Sequence, residues 1–170
     1  MTKKILIVCT GNLCRSPMAM ALLQAKLARD EAHQDWVVES AGTWGGEGRP
    51  ASAHAVAEMA ERGIDLSSHL ARPVTLEMVA EANLVLVMTQ NHAEAVKMAF
   101  PDQAHKVYLL SEMIGRAYDI HDPYGSPRIE YTHTARELEN LIDSGYERIV
   151  ALAEGPADPS NEAASVSRKT

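Results

Sequence analysis

The sequence predicts an α/β fold, a three-layer αβα arrangement around a four-stranded parallel sheet. Three observations carry that expectation. Short apolar runs recur four times along the chain, and stretches with helical spacing separate them. The chain is 170 residues long, a length for one domain rather than two. Its composition, 46% apolar and 23% charged, is that of an ordinary globular protein. Strands that alternate with helices pair in parallel and carry helices on both sheet faces. Residues 1–154 are expected to form the domain, and residues 155–170, rich in Pro, Ser and Ala, a disordered C-terminal tail.

The elements follow in order. Lys4 to Cys9 is a buried strand, β-branched at Ile5, Ile7 and Val8. Thr10 to Arg15 is a loop. Ser16 reads as an N-cap with Pro17 at the first helical position, and Met18, Ala21, Leu22 and Ala25 continue the helix to about Asp30. Trp36 to Ala41 is a second strand, followed by a loop from Gly42 to Pro50 with four glycines. Ala51 to Arg62 has a helical pattern with Gly63 just beyond its end. A linking stretch holds Ser67, Ser68 and His69, and Thr75 caps another short helix. Asn83 to Thr89 is the third strand, Asn91 to Ala99 a helix stopped by Phe100-Pro101, and Lys106 to Leu110 the fourth strand. Ser111 to Pro127 is polar and irregular. The last helix, Arg128 to Ala153, aligns Tyr131, Ala135, Leu138, Ile142, Ile149 and Leu152 on one face. Gly145 in its middle is unfavourable by about 1 kcal/mol relative to Ala.

Charge and cysteine usage narrow the function classes. A net charge of −7 argues against a non-specific nucleic-acid binder. No apolar run approaches the roughly 20 residues of a membrane span. The short apolar run at the N-terminus lacks the features of a signal peptide, so a cytoplasmic protein is expected. The two cysteines, Cys9 and Cys14, lie too close together to staple a fold. Residues 1–29 hold five basic residues and no acidic one, which leaves −12 for the remainder. The cysteines therefore sit in the one stretch with a positive balance.

Chemistry concentrates in Cys9-Thr10-Gly11-Asn12-Leu13-Cys14-Arg15-Ser16-Pro17, which joins the first strand to a helix start. A turn of this length can aim successive backbone N–H groups inward as a nest for a tetrahedral anion, a phosphate-binding loop after the first strand. Gly11 is expected to supply the unusual dihedral angles, and Asn12 also tolerates φ > 0. Arg15 can clamp two oxygens in a bidentate fork. Cys9 lies at the floor, where donors that hold an oxyanion also favour a thiolate, and Ser16 can hydrogen-bond that sulfur. A lone Cys after a strand is usually a small buried hydrophobe. The surrounding Gly-Asn and Arg-Ser-Pro make it a nucleophile here. An acid must then protonate the leaving group. The irregular segment offers Glu112, Asp119 and Asp122. Asp122 comes first because Pro123 stiffens its turn and Tyr124 brings a ring that can stack on an aryl substrate, although Asp-Pro also marks plain turns. Seven histidines are scattered without metal-ligand spacing, so no metal is expected. Gly45-Gly46-Glu47-Gly48 is not a dinucleotide fingerprint.

Val8-Cys-Thr-Gly-Asn-Leu-Cys-Arg-Ser-Pro17 with Asp122-Pro-Tyr124 resembles the low-molecular-weight protein tyrosine phosphatase family. The likeness runs from Lys4 to about Ala153 through Ser40-Ala-Gly42, His69-Leu-Ala-Arg72 and Val85-Leu-Val-Met-Thr89. It implies hydrolysis of phosphotyrosine phosphomonoesters, without metal or cofactor, through a cysteinyl-phosphate. In that reading Cys9 is the nucleophile, Arg15 the phosphate-binding arginine, and Asp122 the general acid and then base. Asn12, Ser16, Ser40 and His69 prop the loop, while Leu13, Trp44 and Tyr124 wall the pocket. Cys14 matches a second loop cysteine able to capture oxidised Cys9 as a disulfide. The implied partners are phosphorylated proteins. The oligomeric state is not set by the sequence, a monomer being the first expectation. The charge and the lack of a long apolar run leave no nucleic acid and no membrane among the expected partners.

The pattern also departs from many members. Gly125 follows Tyr124 where a second tyrosine is common, a form similar to the bacterial branch that includes protein-arginine phosphatases. Those members usually carry Thr at the position of Leu13 and Phe at that of Tyr124, so a flat phosphotyrosine ring is the first expectation and phosphoarginine the alternative. An arsenate reductase would need further cysteines. A non-catalytic phosphoresidue-binding or redox-sensing module would have no need of Asp122.

Overall fold

A computed structural model describes residues 2–44 and 47–156. Four parallel strands, β1 (Lys4–Cys9), β2 (Val37–Gly42), β3 (Leu84–Val87) and β4 (Val107–Leu109), lie in the order β2-β1-β3-β4. Their register pairs Cys9 with Gly42 and Val8 with Val87. The helices are α1 (Arg15–Ala28), α2 (Ala53–Glu61), α3 (Leu76–Glu81), α4 (Gln90–Ala99) and α5 (Arg128–Glu154).

Alternation along the strands divides the core in two. Ile5, Ile7, Leu84 and Leu86 pack with Met18, Leu23, Met59, Leu138 and Ile142 of α1, α2 and α5. Leu6, Val8, Val85 and Val87 face the opposite way, toward Val79 of α3 and Ala93 and Val96 of α4. The three expected layers are therefore present. A right-handed crossover explains the split. The chain moves one way across the sheet from β1 to β2 and the other way from β3 to β4, so α1 and α4 cover opposite faces. Chains leaving β1 and β3 diverge, which opens a crevice at their carboxyl ends.

Two local expectations are corrected. Ser16 does not cap α1, which starts two residues earlier than expected, at Arg15 behind Cys14. Its hydroxyl is engaged by the loop instead, and Pro17 is the third helical residue. Gly11 is not among the residues with positive φ, whereas Asn12 adopts φ 58°. Several element ends also shift. Helix α2 begins at Ala53 and ends at Glu61, and β3 and β4 are shorter than expected because only their central residues find partners on the sheet. Thr75 caps as expected, accepting the Met78 N–H, and Thr89, expected as the last residue of the third strand, instead caps α4 by accepting the His92 N–H. The segment Ser111–Pro127 begins in a short 3₁₀ helix, Leu110–Ile114, before becoming irregular. Helix α5 runs unbroken through Gly145, where an added Cβ would lie 2.6 Å from Met113 Cβ. That glycine permits close packing on the 3₁₀ turn and does not end the helix. Residues 157–170, most of the expected tail, lie outside the described residues, as do Gly45 and Gly46. Among the described residues no helix is long and apolar enough to cross a membrane.

Candidate active site

The loop between β1 and α1 is built around Asn12. This residue is wholly buried and holds a left-handed conformation that few non-glycine residues adopt. Its amide nitrogen donates to Ser16 Oγ at 2.8 Å and to Ser40 Oγ at 2.9 Å. Its Oδ1 accepts the Arg72 backbone N–H at 3.1 Å, and its own carbonyl accepts from His69 Nε2 at 2.9 Å. The sequence-derived set Asn12, Ser16, Ser40 and His69 is thus one contiguous network. Burial lowers the His69 pKa, which suits a neutral ring donating through Nε2. Since Ser16 Oγ accepts from Asn12, its own proton is free to point at Cys9 Sγ, 2.9 Å away.

Cys9, only 3% exposed, lies at the carboxyl end of β1. The loop carbonyls turn outward. Those of Cys9 and Thr10 accept from Thr43 and Trp44, and that of Leu13 accepts from Ser52. Among the described residues, the N–H groups of Gly11 through Arg15 meet no protein acceptor. That polarity is what an anion nest requires. Arg15 enters from the first turn of α1, with Nη1 donating to the Ile120 carbonyl at 2.8 Å and Nη2 to Thr10 Oγ1 at 3.4 Å. Its Nε is buried without a partner among the described residues. A buried guanidinium N–H left unpaired is costly unless a ligand oxygen takes it.

Of the three candidate carboxylates, Asp122 reaches the crevice, with Oδ2 3.4 Å from Arg15 Nη2. Its Oδ1 accepts the Tyr124 N–H at 3.1 Å, which fixes the turn. Asp119 is used elsewhere, its Oδ1 accepting the Gln90 N–H at the start of α4. Glu112 lies in the 3₁₀ helix. A cavity of about 250 Å³ is lined by Cys9, Arg15, Leu13, Trp44, Asp122 and Tyr124, with Thr10, Gly11 and Cys14 also on its wall. Trp44 and Tyr124 are 80% and 52% exposed, so they form a rim rather than a floor. A larger cavity, about 550 Å³ between α1 and α5, contains none of this chemistry.

Cys14 is buried, and its thiol meets Ser52 Oγ at 3.2 Å and Tyr131 Oη at 3.4 Å. Burial raises its pKa and pushes the Tyr131 phenol up to about 12. Both cysteines are free. Among the described residues no cluster of three His, Cys, Asp or Glu side chains could hold a metal ion.

Several contributors escaped the sequence reading. Arg49 donates to Tyr124 Oη at 3.3 Å and lines the cavity. Gly42 is required because an added Cβ would lie 2.5 Å from the Thr10 carbonyl. His92, 4% exposed, places Nε2 2.8 Å from Thr10 Oγ1. The only sequence signal for His92 was its place just after the third strand, and that becomes informative once the strand order is known.

Residues 4–151 match the family described as Low molecular weight phosphotyrosine protein phosphatase. The protein-arginine-phosphatase of Geobacillus stearothermophilus is 39% identical over 150 residues, covering 88% of this chain and 97% of that relative. The solved low molecular weight protein tyrosine phosphatase of T. tengcongensis aligns with a TM-score of 0.80 at 41% identity, covering 86% of this chain and 99% of its own. A YwlE arginine phosphatase variant with a phosphorylated active site serine aligns equally well, with a TM-score of 0.80 at 36% identity, covering 86% and 95%.

Proposed function

The chain belongs to the low molecular weight phosphotyrosine protein phosphatase family, and on that premise we propose that it hydrolyses protein phosphotyrosine with Cys9 as the nucleophile. The observation that carries the assignment is the convergence of Cys9, Arg15 and Asp122 on one cavity. In the first step Cys9 Sγ attacks phosphorus. An S–P bond forms, the P–O bond to the phenol breaks, and Asp122 gives its proton to the departing oxygen. Arg15 holds two equatorial oxygens through the unpartnered Nε and an Nη, and the loop N–H groups take the rest. In the second step Asp122 accepts a proton from water as that water attacks phosphorus. The thiolate leaves, stabilised by the Ser16 hydroxyl. The phosphorylated active-site serine of the YwlE variant supports a covalent intermediate at the corresponding step.

Asn12, Ser40 and His69 hold the loop in shape for this chemistry. Leu13, Trp44 and Tyr124 provide a flat apolar slot suited to a phenyl ring. Cys14 is the partner for a protective disulfide with Cys9 after peroxide oxidation. A thiol nucleophile of this kind suits a reducing compartment, so the cytoplasm is the place of action and phosphorylated proteins are the partners of a monomeric enzyme.

A second reading, protein-arginine phosphatase, has the likeness to the Geobacillus enzyme in its favour. One comparison decides between them. Wild type, Cys9→Ser and Leu13→Thr are assayed side by side on phosphotyrosine and phosphoarginine peptides. Wild type is expected to prefer phosphotyrosine, Leu13→Thr to shift toward phosphoarginine, and Cys9→Ser to turn over neither. Preference of wild type for phosphoarginine would overturn the substrate and leave the mechanism. Turnover by Cys9→Ser would overturn the nucleophile.

A further inference from the structure

His92 lies outside the cysteine–arginine–aspartate set, yet it touches that set from the other side of the crevice. It is the third residue of α4, and the Thr89 cap fixes its backbone by accepting its N–H. Because β3 lies next to β1, the start of α4 faces the first residue of the phosphate loop. The imidazole is buried, with Nε2 sharing a 2.8 Å hydrogen bond with Thr10 Oγ1. The same oxygen accepts from Arg15 Nη2 at 3.4 Å. Nδ1 is buried without a partner among the described residues. A ring kept at the cost of one unsatisfied nitrogen is retained for what its other nitrogen does.

We propose that His92 is a positioning residue for the phosphate site, holding the Thr10 hydroxyl so that Thr10 aims the Arg15 guanidinium before substrate arrives. The inference rests on the reading of Cys9 and Arg15 as the phosphate site. Two ends of the Arg15 fork are otherwise set from one side only, by the Ile120 carbonyl and the Asp122 carboxylate. The Thr10 hydroxyl is the third point, and three points fix a planar group where two leave a hinge. A neutral ring serves this purpose. A charged imidazolium beside Arg15 would repel the guanidinium it must help to place. Burial, followed by the Arg15 charge, pushes His92 down to about 4, against the weaker pull of Asp122 and Asp119.

The test is a double-mutant cycle on p-nitrophenyl phosphate, with inorganic phosphate as competitive inhibitor. His92→Phe keeps the apolar bulk and removes the hydrogen bond, and Thr10→Val removes the hydroxyl at nearly constant shape. Each is expected to lower kcat/KM about tenfold, the scale of one lost hydrogen bond in a preorganised site. Each should weaken phosphate inhibition by a similar factor. The double variant should be no worse than the weaker single one, because both break the same link. His92→Gln, whose amide can reach Thr10, is expected to stay within about threefold of wild type. Thr10→Val alone carries the test where His92→Phe does not fold, and full activity there overturns the proposal. Losses that multiply to about a hundredfold in the double variant would overturn the proposal. So would full activity and unchanged phosphate inhibition in both Thr10→Val and His92→Phe at a lowered melting temperature, which is the signature of packing alone. Cys9→Ser separates the two levels. If it still hydrolyses the aryl phosphate, the site assignment fails. If it does not, the cycle judges His92 alone.

Discussion

At the scale of single residues, Asn12 is the clearest case of one side chain serving two ends. It takes a backbone conformation unfavourable for most side chains and compensates with four hydrogen bonds that bind three separate strands of chain. Asn12→Ala leaves the Ser40 hydroxyl and the Arg72 N–H without their partner and frees Ser16 to turn away from Cys9. The expected loss is about 2–3 kcal/mol of stability, together with at least a tenfold drop in kcat on aryl phosphates. Urea unfolding and steady-state kinetics measure both. An unchanged kcat at the lowered stability would mean that Ser16 does not depend on Asn12. Ser16 shows why local signals mislead at such a site. Ser before Pro reads as a helix cap, but its hydroxyl is within reach of a thiol and an amide that offer it more.

Among elements, the packing of α5 on the 3₁₀ turn bears on the segment that leads to Asp122, the proposed acid. Helix α5 crosses the 3₁₀ turn Leu110–Ile114 so closely that Gly145 has Met113 Cβ and the Met113 carbonyl within 3.1 Å of an ideal Cβ. From that turn the chain runs to Ile120, whose N–H donates to the Met88 carbonyl and whose carbonyl receives Arg15, and then to Asp122. In an uncrowded helix Gly→Ala would stabilise by roughly 1 kcal/mol. Here the sign reverses. Gly145→Ala is expected to destabilise by about 1–3 kcal/mol through overpacking and to lower kcat, because the displaced turn carries Asp122 with it. Thermal unfolding gives the sign, and a stabilised variant would show that the turn yields freely. The second strand makes a similar close approach at Gly42, which leaves room for the Thr10 carbonyl.

For the molecule as a whole, three histidines contribute to how stability responds to pH. His92 titrates near 4 in the folded chain and near 6.5 when unfolded, so the unfolded state binds a proton first as pH falls. Its contribution is complete above pH 6.5 and is lost on the way down toward 4. Between pH 7 and 5 the loss amounts to about 2 kcal/mol. His69, lowered by burial, adds to the same trend. His33 has the opposite sign, because the Asp30 carboxylate raises its pKa. Its share is complete below 6.5 and disappears as pH rises through the raised folded value. Urea unfolding at pH 7 and pH 5 should therefore show wild type losing more stability on acidification than His92→Gln. Parallel losses in the two proteins would exclude His92 as the cause.

The sequence by itself determined where the candidate chemistry lies. Cys9, Asn12, Arg15 and Ser16 lie at most seven positions apart, so a phosphate-nest pattern is legible from spacing and residue type, and the stiff Asp-Pro turn ranks Asp122 ahead of Glu112 and Asp119. It also set the alternation of strands and helices, because burial writes a period into each segment. Tertiary structure alone decided the strand order, and with it which helix start faces the phosphate loop. His92 and Thr10 are 82 residues apart, and no local pattern records that they meet. The space denied to a Cβ at Gly42 and Gly145 is likewise a property of two segments brought together. Local backbone chemistry is legible one segment at a time, whereas contacts between distant segments exist only after the sheet has put them side by side.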